Sequence, residues 1–177
     1  MNGSPRNGRI DLREATSEDL EALTSALLDA VNWRGQAEVS RQRLVADPHL
    51  SRYVAGWQRQ TDFGTVAAVS GQTVGAAWCR TFATAEPGYG FVGPDIPEVS
   101  MGVSEVHRGR GIGSALLEAV IAQARTRGCS ALSLSVEDGN RARTLYLRAG
   151  FTVVARNGNS DTMLLTLTDG TDGTDGR

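Results

Sequence analysis

The chain has 177 residues, 40% hydrophobic and 21% charged, with a formal net charge of −2. That is enough chain for one domain with a sizeable core, and it carries no surplus of positive charge to hold nucleic acid. All 18 basic residues are arginine, which excludes a Schiff-base lysine and with it most pyridoxal-phosphate chemistry.

Residues 1–9 are polar with Gly and Pro, and read as a flexible lead. Ile10 to Glu14 alternates as a short strand. Thr16-Ser17-Glu18-Asp19 has the form of a capping box. Leu20, Leu23, Leu27, Leu28 and Val31 follow at helical spacing, and that helix should end near Asn32 to Gly35. A second helix is expected over Glu38 to Ala46, stopped by Asp47-Pro48, and a short third one over Tyr53 to Arg59. Thr65 to Ser70 and Thr73 to Phe82 read as a hairpin turning at Gly71-Gln72.

Ala83 to Pro97, rich in Gly, Pro and Ala, is a loop long enough to be functional. A short apolar strand then ends at Val103, and a glycine-rich loop leads into a helix from about Gly111 to Arg127, closed by Gly128. Ala131 to Val136 alternates as a strand. Asn140 to Ala149 is a short helix with Gly150 behind it, and Thr152 to Arg156 with Thr162 to Leu167 forms a last hairpin. The pattern is a mixed α/β sheet in one domain over 10–167. Residues 168–177 hold three TDG triplets, too few and too polar for a solenoid or calcium array, and read as a disordered tail.

Cys79 and Cys129 lie in apolar runs without metal-ligand or CxxC spacing, which suits buried reduced thiols. His49 and His107 are the only histidines, so a histidine-based zinc site has little to work with and no metal is expected. No apolar stretch approaches the length of a membrane span, and the start of the chain has no signal-peptide core, so a cytoplasmic protein is expected. The last ten residues carry three Asp and one Arg, leaving 17 charges of each sign in the rest. Arginine used wholly in place of lysine also hints at a GC-rich bacterial genome.

The loop with Arg108, Gly109, Gly111 and Gly113 has the makings of a phosphate cradle. Its glycines let backbone N–H groups approach a ligand, and the helix start behind them offers unpaired donors and about half a positive charge. A P-loop needs a lysine, which the chain lacks. A GxGxxG fingerprint beginning at Gly111 would place its third glycine at Leu116. What fits is R-x-x-G-x-G after a strand, met by Arg108, Gly111 and Gly113.

In this loop, and in the stretch from Ser130 to Val154, the chain resembles the GNAT superfamily of N-acetyltransferases. The likeness covers about residues 98–156. It includes Asn140, Leu145, Tyr146, Gly150 and Phe151, with one residue fewer after Asn140 than the family pattern N-x-x-A-x-x-L-Y-x-x-x-G-F. The resemblance implies a mixed, mostly antiparallel sheet with a splayed central strand pair, flanked by helices. It further implies acetyl-CoA as co-substrate and a primary amine, on a small molecule or a peptide, as acceptor.

Cofactor contacts would fall on Met101, Gly102, Val103, Arg108, Gly109, Arg110, Gly111, Ile112, Gly113, Ser114, Asn140 and Arg143. Tyr146 stands where many members carry a tyrosine that gives a proton to the leaving thiolate; the bland alternative is a packed aromatic. Asn140 also fits a helix cap with no contact to the cofactor.

Attack by an amine requires loss of its proton, through a carboxylate or a chain of water. Glu98 matches the family's glutamate base in kind, but its spacing to Val103 is short by about one residue, and one residue turns a strand side chain to the other face. Glu98 and a water chain therefore both remain open as the base. Backbone N–H groups near Val103 would steady the carbonyl oxygen. Trp33, Trp57 and Trp78 are candidates for an acceptor-pocket wall, though each also fits a core. Glu86 and Asp95 would favour a cationic acceptor or are simply solvated.

Two other readings differ in class. One is a GNAT-fold module that binds or senses acyl-CoA without turnover; the other is a structural or dimerising partner with an empty loop. Homodimers are common among look-alikes, and no sequence feature here decides the matter.

Overall fold

The computed structural model describes residues 9–35 and 38–167. The expected lead, apart from Arg9, and the TDG tail lie outside the described residues. Seven strands form one sheet in the order β1-β2-β3-β4-β5-β7-β6. They are β1 (Ile10–Glu14), β2 (Phe63–Val69), β3 (Gln72–Arg80), β4 (Glu98–Val103), β5 (Ala131–Glu137), β6 (Thr152–Asn157) and β7 (Ser160–Thr166). The helices are α1 (Leu20–Val31), α2 (Arg41–Ala46), α3 (Pro48–Ser51), α4 (Ile112–Thr126) and α5 (Ala142–Arg148). This is the expected mixed, mostly antiparallel architecture. The described chain divides into two compact units, one reaching to Cys79 with Ser100–Val120, the other Arg80–Val99 with the chain from Ile121 on.

In the first unit β1, β2 and β3 form an antiparallel meander, from Ile10↔Val69 to Glu14↔Thr65 and from Phe63↔Cys79 to Val69↔Gln72. The hairpin turns at Ser70-Gly71, one residue earlier than expected. Both central residues of this tight turn have positive φ, 52° and 80°, the combination that matches the twist of the flanking strands. Its second strand stops at Arg80, not Phe82.

α1 buries Leu23, Ala26 and Leu27, neighbours on one helical face. The capping box closes on a single 3-10 turn, Ser17–Asp19, ahead of α1. There the Thr16 N–H donates to Asp19 Oδ2 at 2.7 Å, and Arg13 grips both oxygens of the same carboxylate at 2.8 and 2.6 Å. These bonds, those from Arg13 first, hold the Asp19 carboxyl down at about 2 against an ordinary 3.8. A lowered folded-state pKa contributes stability that is complete above the unfolded value and fades as pH falls through the folded one. Urea unfolding should therefore show stability dropping between about pH 4 and pH 2, and Asp19→Asn should flatten that drop.

The second helix begins at Arg41 and not Glu38, because Ser40 caps it by accepting the Arg43 N–H. Pro48 does not merely stop that helix. Asp47 accepts the His49 N–H and Pro48 takes the first position of α3, where a missing N–H costs nothing. The helix expected over Tyr53–Arg59 is therefore displaced to Pro48–Ser51.

In the second unit β5 and β7 pair antiparallel from Ala131↔Thr166 to Glu137↔Ser160, and β6 continues from β7 as an end strand exposed along its whole length. β4 and β5 are parallel neighbours whose register is the single pair Glu98↔Ser133, supported by Ser133 N–H donating to Pro97 O at 3.0 Å. Cys79 is buried as expected, whereas Cys129, just past the end of α4, is only half-buried.

Candidate active site

The cradle lies in the first unit. β4 ends at Val103, a 3-10 turn covers Glu105–His107, and α4 starts at Ile112. Ala115 N–H makes the first bond of that helix, to Gly111 O at 3.1 Å, so the N–H groups of Ile112, Gly113 and Ser114 have no partner within it. Gly109 and Gly111 have φ of 74° and 82°, which turn the backbone in a way side-chain-bearing residues resist. Nothing lies within 4 Å of where a Cβ would stand at either glycine. The result is an open strip of backbone at the positive end of a 15-residue helix, which suits an anion such as a pyrophosphate.

The side chain of Arg108 is not aimed into that strip. Its Nε donates to Val103 O, one terminal nitrogen to Trp33 O and the other to Asp29 O, each at 3.0 Å. It thus ties the end of β4 to the end of α1, and of this residue the backbone is what remains for a ligand. Gly102 has a similar packing duty: a Cβ there would stand 1.8 Å from Ala26 O. Met101 and Val103 are half-buried on either side of it. The Asp29 carboxyl is raised by burial, an effect that Arg108 opposes and Glu105 adds to.

Of the three tryptophans, Trp78 is fully buried with its N–H on Tyr53 O, and Trp57 is buried with its N–H on Thr16 O, both at 2.8 Å. Both are core residues with almost no ring left for a pocket wall, a correction to the expectation. Trp33 is half-buried, with the Arg34 guanidinium 4.5 Å from its ring centroid. The segment carrying it is pinned by Asn32, whose side chain donates to Val39 O at 2.9 Å and accepts its N–H at 3.0 Å.

The second unit holds Tyr146, 7% exposed on α5, with its ring edge-on to Phe151 at 6.0 Å between centroids. Burial pushes its phenol up to about 12, so it keeps its proton through the whole neutral range. Asn140 accepts the Ala142 N–H at 2.9 Å, capping α5. Arg143, expected at the cofactor, instead donates from Nε to Asp161 Oδ2 at 3.0 Å. Arg156 joins this group through Asp161 Oδ1 and the Asp138 carboxylate. Arg156 lowers the Asp138 carboxyl, and Arg143 with Arg156 lowers that of Asp161. The network braces the first turn of α5, the helix that carries Tyr146.

Glu98 begins β4 and is buried, its Oε1 accepting the Gly90 N–H at 2.9 Å. Gly90 and Asp161 were not legible as site residues. Gly90 meets Glu98 and Asp161 meets Arg143, contacts longer than a helical turn that belong to no local motif.

The description of the Acetyltransferase (GNAT) family matches residues 27–151. Among solved structures, PaiA N-acetyltransferase from Thermoplasma acidophilum, in complex with coenzyme A, is 17% identical, with a TM-score of 0.61 over 89% of this chain and 99% of its own. A putative acetyltransferase, yncA, from Salmonella typhimurium, with acetyl-CoA, is 24% identical with a TM-score of 0.63, over 91% of this chain and 95% of its own. A ribosomal-protein-alanine N-acetyltransferase from Brucella melitensis is 27% identical with a TM-score of 0.61, over 86% and 96%. No curated protein matches the chain by sequence.

Proposed function

The chain belongs to the GNAT acetyltransferase family, and from that premise we propose that it moves an acetyl group from acetyl-CoA to a primary amine by direct attack. The observation that carries this reading is the open cradle at Gly109–Ser114, with its positive-φ glycines and unpartnered helix N–H groups.

In this reading the backbone N–H groups of Gly109 to Ser114 hold the pyrophosphate, while Arg108 acts by holding the end of β4 against α1. Backbone N–H groups near Val103 steady negative charge on the thioester oxygen, an effect that typically contributes about 10²–10³ in rate. Tyr146, buried and protonated, gives its proton to the departing thiolate. The acetyl group supplies an electrophilic carbonyl, and positioning of the amine beside it supplies much of the remaining rate. The amine loses its proton to water. The acceptor meets the 83–97 segment, whose Glu86 and Asp95 are exposed and which has no basic residue. By analogy with the Brucella relative's named substrate, a peptide beginning with alanine is the first acceptor to try.

Calorimetric titration of acetyl-CoA and of free CoA tests the premise, and release of thiol on adding amines tests turnover. Binding of both with thiol release supports transfer. Binding without release from any amine favours a sensing module, and absence of binding by folded protein removes the cradle. Gly111→Asp should weaken acetyl-CoA at least about tenfold, because it places a carboxylate beside the pyrophosphate and adds the strain of a left-handed backbone. Equal affinity in the same titration would show that the phosphates lie elsewhere.

A further inference from the structure

We propose that Glu98 is a positioning residue that fastens the 83–97 segment to β5, and that it is not the group that takes the amine's proton. The proposal rests on the acetyl-transfer reading for the reaction served, and on the second unit alone for its geometry.

Three attachments hold the segment. The Gly90 backbone lies against β5 so closely that a Cβ would stand 2.4 Å from Leu134 C and 2.7 Å from Ser135 N. Only glycine fits there. Seven residues further on, Pro97 O accepts the Ser133 N–H at 3.0 Å, and Glu98 is in register with the same Ser133. The Glu98 carboxylate links the first attachment to the other two, since its Oε1 accepts the Gly90 N–H at 2.9 Å. One side chain thereby closes a loop whose two ends both sit on consecutive residues of β5.

That carboxylate is poorly placed to serve a substrate. Glu98 is 4% exposed, Oε1 is committed to Gly90, and Oε2 is buried as well. A buried side chain whose oxygen accepts a backbone N–H from across a loop has the surroundings of a structural tie. Fixing Gly90 also fixes its neighbour Tyr89, which is 53% exposed, so the segment presents one surface to the acceptor.

Hydrogen–deuterium exchange of the full chain with acetyl-CoA present, in wild type, Glu98→Gln, Glu98→Ala and Gly90→Ala, decides the matter. Glutamine keeps an acceptor oxygen for Gly90, and alanine does not. Peptides within 83–97 should exchange at least about tenfold faster in Glu98→Ala and Gly90→Ala, and within about threefold of wild type in Glu98→Gln. With an alanine-initiated hexapeptide as acceptor, Glu98→Gln should release thiol within about threefold of wild type from pH 6 to 9. Glu98→Ala should raise the KM for the peptide at least about tenfold and leave the acetyl-CoA Kd unchanged. Undiminished protection in Glu98→Ala would overturn the anchor. So would a loss of about 10² in turnover for Glu98→Gln that deepens toward low pH while its loop stays protected, which is the behaviour of a base. If Glu98→Ala does not fold, Gly90→Ala and Glu98→Gln carry the test. Wild-type protein that binds no acetyl-CoA would overturn the proposed function and leave the exchange result standing.

Discussion

Gly102→Ala should lower the unfolding free energy by about 3 kcal/mol or more, at the upper end of what overpacking a core costs. The single methyl it adds would stand 1.8 Å from Ala26 O and 2.6 Å from Ala26 C, in the backbone of α1. An ordinary contact would need well over an ångström more. The obstacle is not a flexible side chain that can swing away, and α1 itself is held by Leu23 and Leu27 in the core. β4 must therefore lift from α1, and the three bonds by which Arg108 spans β4 and α1 would be stretched with it. Gly111→Ala is the control, since it meets nothing within 4 Å and costs only the strain of positive φ, about 1–2 kcal/mol. Urea unfolding of the two variants should separate them clearly. A Gly102→Ala protein as stable as Gly111→Ala would mean that α1 does not lie this close to β4.

Tyr146→Phe should cut kcat by about 10²-fold while leaving the acetyl-CoA Kd within about twofold. Phenylalanine keeps the ring that packs edge-on with Phe151, and removes only the hydroxyl. Among the described residues no group bonds that hydroxyl, so the fold loses no hydrogen bond with it. Because burial lifts the phenol to about 12, wild-type turnover should not decline as pH rises through 10, the ordinary value for tyrosine. A variant with equal kcat would reduce Tyr146 to a packing residue, and a variant with weaker acetyl-CoA would make it a binding one.

Local signals described the elements well. Alternation marked β1 and β5, the capping box at Thr16–Asp19 set the start of the first helix, and Gly128 ended the long one. Where expectations slipped, a local rule had two outcomes and a neighbour chose between them. Asp47-Pro48 reads equally as a stop and as a start, and Asp47 capping His49 made it a start. Ser70-Gly71 and Gly71-Gln72 are both plausible turns, and pairing of Val69 with Gln72 selected the first.

The site divides in the same way. Glycine spacing and the helix start suggested a phosphate cradle, because backbone donors, positive φ and a helix end are properties of a short stretch, and the resemblance to the GNAT superfamily gave it an acetyltransferase reading. What arginines and carboxylates do is a property of what stands opposite them. Arg108 faces three carbonyls of other segments, Arg143 faces Asp161, and Glu98 reaches back to Gly90. None of those partners lies within a helical turn of the residue it holds, so no motif could announce them. Long polar side chains reach whatever donor or acceptor the fold brings near, and only the tertiary structure says which that is.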